Sequence, residues 1–375
     1  MKRKVVIIGS AYPLRGGGIT TFNERLAKAY QDNGDQVVIY TFSLQYPGLF
    51  FPGTTQYSKE PPPEGLDIRI TINSINPVSW YRTANKVAQL NPDLIIIRYW
   101  IPFMAPCLGT IARLLKHKSH AQIVSITDNI IPHEKRIGDK ILSRYFIGSV
   151  DGFVAMSTSV LNDINQFNKN KPRYYYPHPL YDNFGESISK EEAISKLELD
   201  PNYSYILFFG FIRDYKGLDL LLESFSSERL SSLPIKLLIA GEFYGNEDKY
   251  LKIIEDLNIG NKIELKTRFI PNTDVYLYFC ASSVVVQPYK HATQSGVTQI
   301  AYHFGKPMIT TNVGGLSEIV IDGKVGFVVS PTSDALEEAI FKFFSEKREA
   351  EFSNNVKTER ERFSWEGLIA AIDKV

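Results

Sequence analysis

The chain has 375 residues, enough for two domains of ordinary size, and its apolar content of 44% can fill two hydrophobic cores. The 42 Lys and Arg residues balance 41 Asp and Glu residues, and this net charge of +1 argues against a nucleic-acid-binding protein. Two cysteines exclude a disulfide framework and fit a reducing compartment. No apolar run approaches the ~20 residues of a membrane-spanning helix, so we expect a cytoplasmic protein.

The first half of the chain alternates short apolar runs with helix-length segments, which is the pattern of a parallel α/β sheet. Strands are predicted at residues 4–9, 36–42, 67–72, 94–98, 122–126 and 152–156, and helices at 20–33, 77–89, 105–118, 140–149 and 158–166. The helix at 105–118 has a basic end, which either complements the helix dipole or forms a local patch for an anionic membrane surface.

Two segments of this half carry candidate site residues. Gly16, Gly17 and Gly18 follow the first strand, and three consecutive glycines let a backbone approach a ligand closely. A flexible loop with no ligand is the alternative. Asp128 and His133 follow the fifth strand, and ligands of open α/β sheets bind at the carboxyl ends of the strands. A histidine in that place, close to acidic residues, is a better ligand candidate than an isolated histidine.

The second half begins after a polar, loop-rich segment at residues 184–202, which predicts a linker with one short helix. Strands are predicted beyond it at residues 205–210, 235–241, 263–265, 283–286 and 308–311, and helices at 218–226, 248–257, 274–280, 296–304, 334–347 and 364–374. Arg213 and Lys216 follow the first of these strands. An anion site is one interpretation of this pair, and a solvated charged turn is the other.

The centre of the second half is a strand–turn–helix–strand unit. Its turn brings Ser295, Gly296 and Val297 to the start of a helix, where free backbone N–H groups favour a phosphate. Gly314 and Gly315 follow the second strand of the unit directly. Both strand exits therefore carry small residues at the edge of the sheet where ligands bind.

Three segments of this half recur together, in this order, in a known family: GKP at 305–307, NVGGLSEIV at 312–320 and DGKVGFVV at 322–329. They resemble the nucleotide-sugar half of glycosyltransferase family 4, also called glycosyl transferases group 1. The resemblance implies the GT-B fold, an α/β architecture of two Rossmann-like domains that face each other across a cleft. It divides the chain into an N-terminal acceptor-side domain, a linker, a C-terminal nucleotide-sugar-binding domain and a C-terminal helix that packs back toward the first domain: residues 1–183, 184–202, 203–355 and 356–375.

The resemblance also implies a function. We expect a retaining hexosyltransferase that moves a sugar from a nucleoside-diphosphate sugar to a hydroxyl of a sugar or lipid-linked acceptor. The expected setting is bacterial surface polysaccharide or glycolipid synthesis, with peripheral contact to the inner membrane surface and no metal ion or other cofactor. Lys216 and Arg213 would neutralise the departing diphosphate, although Phe211 holds the usual arginine position. The resemblance assigns other donor or acceptor contacts to Asp128, His133, Gly16, Gly17 and Gly18.

A pair of glutamates that usually contacts the donor sugar and the ribose is missing. Alignment on the GKP segment puts Ala292 and Ile300 at those places, and a shift of one residue offers His291 and Gln299. We therefore expect these contacts to come from other polar side chains, namely Thr293, Gln294, Gln299 and Glu318. A non-catalytic nucleotide-sugar-binding subunit, or a GT-B-like epimerase, is the alternative to a transferase.

Overall fold

The computed structural model describes residues 2–15, 17–48, 55–131, 137–245, 247–292 and 295–375. It forms two compact units. One contains the chain up to His178 together with Ser364–Val375, and the other is Pro179–Phe363. Four predicted site residues lie outside the described residues: Gly16, His133, Thr293 and Gln294.

The first unit is built on a parallel sheet. Its strands in the described residues are β1 (Lys4–Ile8), β2 (Gln36–Leu44), β3 (Asp67–Asn73), β4 (Leu94–Tyr99), β5 (Gln122–Thr127), β6 (Gly152–Ala155) and β7 (Arg173–Tyr175). Their order across the sheet is β3-β2-β1-β4-β5-β6-β7. All neighbouring pairs are parallel. The predicted α/β class of this half is confirmed.

The helices of this unit connect the strands, as parallel pairing requires. They are α1 (Gly18–Asp32), α2 (Pro77–Ala88), α3 (Ala105–Lys118), α4 (Asp139–Ile147) and α5 (Thr158–Phe167). Their starts follow from local chemistry. The Asn76 side chain accepts a hydrogen bond from the Val78 N–H, and Ser157 accepts one from the Val160 N–H, so both act as N-caps.

The core of the first unit explains why β1 and β4 read as continuous apolar runs. Helices cover both faces of a parallel sheet, so its central strands are buried on both sides. Every residue of β4 is buried, including Arg98, which is 2% exposed. A buried guanidinium needs a partner in the fold.

The second unit repeats this plan. Its strands in the described residues are β8 (Ser204–Phe209), β9 (Ile235–Ala240), β10 (Ile263–Lys266), β11 (Ser282–Gln287), β12 (Met308–Thr311) and β13 (Gly326–Val329). They form a parallel sheet in the order β10-β9-β8-β11-β12-β13. The hydrophobic core of this unit includes Phe208, Leu237 and Val284 among its fully buried members.

The helices of the second unit are α6 (Lys190–Lys196), α7 (Leu218–Ser224), α8 (Glu228–Ser231), α9 (Glu247–Asp256), α10 (Val275–Ala281), α11 (Gly296–His303), α12 (Leu316–Ile319), α13 (Ser333–Ser345) and α14 (Glu349–Glu359). The last helix, α15 (Trp365–Ile372), belongs to the first unit, where it contacts α1, β6 and β7. Within the described ranges, none of the helices is both long and apolar enough to span a bilayer.

Each sheet has one point where the chain direction across the sheet reverses. In the first unit it lies between β1 and β4, and in the second between β8 and β11. Ligands of open α/β sheets bind outside the carboxyl ends of the strands at such points. The segments that follow β8 and β11 contain Lys216 and the start of α11, so the second switch point lies among the predicted phosphate contacts.

Candidate functional site

The segment after β8 is shaped by two glycines. Gly210 has a φ of +97°, and its N–H donates to the Ala240 carbonyl at 2.9 Å. A short 3-10 turn, Asp214–Lys216, ends at Gly217, whose φ is +67°. A methyl group on Gly217 would lie 1.9 Å from the Pro288 carbonyl oxygen. The turn that carries Lys216 therefore packs directly against the segment that follows β11.

Lys216 reaches back over the end of β8. Its residue exposure is only 9%. A methyl group on Gly210 would lie 3.0 Å from Lys216 Nζ and 3.8 Å from Val297 Cγ2. The Lys216 ammonium group and the first turn of α11 therefore both lie next to Gly210. Because Gly210 has no side chain, space remains beside both of them.

The electrostatics of Lys216 are those of a cation without a counter-ion. Burial, and then the positive charge of Arg213, lowers the pKa of Lys216 from 10.5 to about 7. Among the described residues, no carboxylate offsets these two effects. An anion placed next to Lys216 and Arg213 would favour their charged forms, and the N–H groups at the start of α11 would add to this field.

A network of ion pairs fixes the turn around Lys216. Asp214 accepts hydrogen bonds from Lys249 Nζ at 2.9 Å and from the Tyr250 hydroxyl at 3.0 Å, and these bonds lower the pKa of its carboxyl group. The Lys290 N–H donates to the Tyr215 carbonyl at 2.7 Å, and Lys290 Nζ pairs with Asp219 of α7. The neighbouring carboxylates are thus occupied by lysines other than Lys216.

Arg213 is exposed and lies next to aromatic rings. Its guanidinium carbon is 5.0 Å from the Tyr244 ring centroid, and the Tyr244 ring is 4.4 Å from that of Phe211. Phe211 in turn stacks with Phe269 at 6.5 Å. All three rings are half-buried, and they follow β8, β9 and β10, respectively. We call Phe211, Tyr244 and Phe269 the aromatic platform. Sequence reasoning treated Phe211 only as a missing arginine and did not find this platform.

The start of α11 is anchored by three polar or aromatic contacts. The Ser295 side chain caps the helix by accepting from the Val297 N–H at 3.3 Å, and its hydroxyl lies 3.3 Å from that of Tyr289. A methyl group on Gly296 would lie 2.9 Å from Tyr181 Cε2. The predicted residues Ser295, Gly296 and Val297 are thus held close to Lys216, whereas sequence reasoning missed Tyr181 and Tyr289.

The Gly314–Gly315 turn is tied to the same segment. Gly314 has a φ of +49°. Leu316, at the start of α12, packs with Tyr289 and Ala292 in a small apolar cluster. Ala292 therefore fills an apolar role at one of the places where the family pattern has a glutamate. Glu318 lies in α12 and is half-buried.

Gln299 and Ile300 both face the interior of the second unit. Gln299 is 0% exposed, and neither of its side-chain amide atoms has a hydrogen-bond partner among the described residues. Ile300 is 6% exposed. A ligand could reach Gln299 only if neighbouring side chains moved, so its predicted donor contact stays a prediction.

The first unit holds Asp128 in a buried ion pair. Arg98 Nε and Nη2 donate to the two Asp128 carboxylate oxygens at 2.7 and 2.6 Å. The two residues are 2% and 6% exposed, and the Arg98 guanidinium carbon is 3.8 Å from the Phe22 ring centroid. Both Asp128 oxygens are therefore bound within the protein, and this fixes the start of the loop after β5. A contact between Asp128 and the reacting sugar stays a prediction.

The glycine-rich loop is supported by a second loop. Leu14 forms an antiparallel bridge with Tyr57, and the Arg15 N–H donates to the Gln56 carbonyl at 2.9 Å. Gly17 precedes α1 directly, and Gly18 is its first residue. Glu24 of α1 accepts a hydrogen bond from the Tyr12 N–H at 2.9 Å, and burial raises the pKa of its carboxyl group to about 7. Sequence reasoning did not single out Glu24.

Metal chemistry has no obvious ligand set in the part of the chain that the structure describes, where no three His, Cys, Asp or Glu side chains group together in a way that could hold an ion. The predicted absence of a metal requirement is a statement about the reaction and remains a prediction.

The two parallel sheets and the cation site at the second switch point define an α/β protein with a candidate phosphate site. Comparison with known proteins shows what the second unit is similar to. Residues 189–359 match the family model described as glycosyl transferases group 1. A D-inositol 3-phosphate glycosyltransferase of Gordonia bronchialis is 31% identical over 199 residues, which cover 49% of this chain and 42% of that protein. An uncharacterised glycosyltransferase of Methanocaldococcus jannaschii is 24% identical over 99% of this chain and 97% of its own length.

The fold has solved counterparts. The structure of HepE from Anabaena in complex with UDP superimposes with a TM-score of 0.74 and 15% identity, with both chains covered in full. Residues 189–359 therefore resemble the glycosyl transferases of group 1, and the chain has the GT-B fold, as the sequence motifs indicated.

Proposed function

We propose that the protein transfers a hexosyl unit from a nucleoside-diphosphate sugar to an acceptor hydroxyl with retention of the anomeric configuration. The observation that carries this proposal is Lys216: a buried ammonium group without a carboxylate partner among the described residues, beside Arg213 and the start of α11. Such a site favours an anion at the switch point of the sheet. A diphosphate leaving group is the anion that a glycosyltransferase has to stabilise.

The transfer breaks the bond between the anomeric carbon and the diphosphate oxygen, so negative charge grows on the diphosphate. Lys216, Arg213 and the N–H groups of Gly296 and Val297 would oppose this charge from fixed positions. Stabilisation that grows with the developing charge lowers the barrier rather than only tightening donor binding. This arrangement supplies the cations without invoking a metal ion.

The aromatic platform is proposed to hold the nucleoside part of the donor. Arg213 connects the proposed diphosphate site with the aromatic platform, because it acts on Lys216 electrostatically and lies over Tyr244 of the platform. Half-buried aromatic rings can stack on a base without selecting one base by hydrogen bonds. The complex of HepE with UDP supports a nucleoside diphosphate as the ligand class, with Gly314, Gly315 and Glu318 as further candidate contacts.

The acceptor side is proposed to lie in the first unit. Gly17 and Gly18 follow β1 at its switch point, and Asp128 follows β5. Because Arg98 occupies both Asp128 oxygens, we assign Asp128 the role of positioning the residues that directly follow β5, rather than that of a proton acceptor. The acceptor is a sugar or lipid-linked hydroxyl compound, as in surface polysaccharide or glycolipid synthesis.

The test combines binding with turnover. Thermal shifts with UDP, GDP, ADP and dTDP identify the nucleotide, because at equal concentration the ligand that binds the folded state most tightly stabilises it most. With the matching sugar donor, Lys216→Ala should lower turnover at least tenfold, about 1.4 kcal/mol of transition-state stabilisation. Lys252→Ala, at an exposed lysine of α9, is the matched control.

Two outcomes would redirect the proposal. Near-normal turnover in Lys216→Ala would remove the diphosphate assignment. Nucleotide binding without donor hydrolysis or transfer to any acceptor would favour a non-catalytic nucleotide-sugar-binding subunit. The missing glutamate pair is the sequence feature that suggests this alternative.

A further inference from the structure

Tyr289 follows β11 and contacts both parts of the candidate phosphate site. It is only 3% exposed. The Thr311 hydroxyl, at the end of β12, donates to the Tyr289 carbonyl, and Tyr289 packs with Ala292 and Leu316. The backbone and the side chain of Tyr289 are therefore both held in place, and its ring and its hydroxyl contact different neighbours.

The ring of Tyr289 lies beside the Lys216 ammonium group. Lys216 Nζ is 5.7 Å from the centroid of this ring, which is within the range where the face of an aromatic ring attracts a cation. The Tyr215 ring meets the Tyr289 ring edge to face at 6.2 Å. A carboxylate in this place would neutralise the ammonium group, whereas an aromatic face holds it and leaves its charge available to an anion.

The hydroxyl of Tyr289 contacts the residue that caps α11. It forms a hydrogen bond with the Ser295 hydroxyl at 3.3 Å, and the Ser295 oxygen also accepts from the Val297 N–H at 3.3 Å. Burial raises the pKa of the Tyr289 hydroxyl, so this group stays neutral and adds no negative charge to the site. The second hydrogen bond restricts the rotation of the Ser295 side chain and thereby keeps the helix cap in place.

We propose that Tyr289 is a positioning residue that fixes Lys216 and the start of α11 relative to each other, so that both act on the same diphosphate. The inference rests on the proposed function, which assigns the diphosphate to this site. Lys216 follows β8, whereas Val297 belongs to α11, and Tyr289 contacts the ammonium group directly and Val297 through Ser295. Groups that are already in place stabilise a developing charge without further rearrangement.

A tyrosine that only fills the core is the alternative. Replacement of such a residue would change the stability by an amount that does not depend on the charge of Lys216, and its hydroxyl would act independently of Ser295. Tyr302 of α11 serves as the matched control, because it is 0% exposed and its hydroxyl donates to the Ile319 carbonyl at 2.7 Å.

The first experiment measures the ring contact in the ligand-free chain. Tyr289→Phe keeps an aromatic ring and Tyr289→Leu removes it, and denaturant unfolding gives the unfolding constant of each variant. Because the pKa of Lys216 is about 7, its ammonium form prevails at about pH 6 and is lost by about pH 9. We expect the unfolding constant of Tyr289→Leu, divided by that of Tyr289→Phe, to be at least threefold larger at the lower pH. The same ratio for Tyr302→Leu and Tyr302→Phe should be equal at both pH values.

The second experiment measures the hydroxyl contact through nucleotide binding. The ligand is whichever of UDP, GDP, ADP and dTDP gives the largest thermal shift, and isothermal titration gives its affinity. Tyr289→Phe and Ser295→Ala should each weaken binding at least threefold, because each removes the hydrogen bond between the two hydroxyls. In the Ser295→Ala background, Tyr289→Phe should change the affinity less than about twofold, because both substitutions then act on the same contact.

Two results would overturn the proposal. An equal ratio of unfolding constants at both pH values would show that the Tyr289 ring does not hold the ammonium group. Additive losses of affinity from Tyr289→Phe and Ser295→Ala would show that the two hydroxyls do not act together. The titration uses only conservative changes, so it decides the proposal even if Tyr289→Leu does not fold.

Failure of the proposed function has a different signature. In that case the unchanged chain would bind none of the four nucleotides, while the pH-dependent ratio, which needs no ligand, would persist. That outcome would refute the role of Tyr289 at a diphosphate and leave only its contact with Lys216.

Discussion

Lys216 carries a charge that its surroundings disfavour. Its pKa falls from 10.5 to about 7 because the side chain is buried and because Arg213 is close. Below pH 7 the folded chain therefore holds a buried ammonium group that the unfolded chain keeps in water. Between pH 7 and 10.5 the unfolded chain binds more protons, so this cost diminishes as the pH rises.

The variant Lys216→Met tests this cost directly. We expect it to raise the free energy of unfolding of the ligand-free second unit by ~2–4 kcal/mol at about pH 6 and by less at about pH 9. Stabilisation by nucleoside diphosphates should disappear in the same variant. Denaturant unfolding in both buffers, with and without ligand, gives these quantities.

Lys252→Met on α9 is the control for the loss of one lysine, and it should change little at either pH because that residue is exposed. If Lys216→Met lowered the stability equally at both pH values, burial would not be the main influence on this lysine.

Single residues differ in how far the sequence predicts their role. Lys216 was assigned to an anion site because it follows a buried strand and keeps the family spacing, and the structure brings it to the start of α11. The sequence pattern does not predict the ion-pair partner of Asp128. Arg98 is thirty residues away in the chain, and the two meet because β4 and β5 are paired with Tyr99 opposite Thr127. That strand pairing depends on how the sheet is assembled, and the local sequence pattern around Asp128 does not reveal it.

At the scale of elements, Gly217 connects the Lys216 turn to the segment after β11. Gly217→Ala would place a methyl group 1.9 Å from the Pro288 carbonyl oxygen at a φ of +67°. Gly323 has nearly the same φ, +69°, but open space around it. Gly323→Ala should therefore cost only the strain of a left-handed residue, ~1–2 kcal/mol, whereas Gly217→Ala must also displace the turn.

We expect Gly217→Ala to be the less stable variant and to weaken nucleoside diphosphate binding at least tenfold, because Lys216 Nζ leaves its place over Gly210. Gly323→Ala should bind normally. Denaturant unfolding and isothermal titration of both variants check this difference. Equal effects of the two substitutions would mean that the contact with Pro288 does not position Lys216.

The sequence predicts the bounds of an element closely where its pattern of apolar residues is clear. The buried strands β4 and β8 lie within one residue of their predicted bounds, because uninterrupted apolar runs have clear ends. The linker helix was predicted at Lys190 and begins there. Helix α14 was not predicted, because it is rich in charge and buries only Phe352 and Val356. Its place is fixed by tertiary contacts such as those with α11.

At the scale of the whole molecule, the first unit is discontinuous in the chain. Its last helix, α15, comes after the entire second unit and contacts α1. Trp365 of α15 lies with its ring 5.0 Å from that of Phe22, and the Tyr176 hydroxyl donates to the Ser364 carbonyl at 2.8 Å. Local periodicity predicts that such a helix exists, but contacts between residues this far apart follow only from the folded chain.

Removal of the Trp365 side chain should therefore weaken the first unit selectively. Trp365 is 3% exposed, and Trp365→Ala should cost ~3–5 kcal/mol because it leaves a cavity against α1. Hydrogen exchange should accelerate in α1 and β6, while β8 and β11 keep their rates and the second unit keeps its thermal response to nucleotide. Glu366→Gln, at the next and exposed position, is the control and should leave all rates unchanged. Equal acceleration in both units would mean that they unfold as one cooperative body, and that α15 stabilises more than the unit to which it belongs.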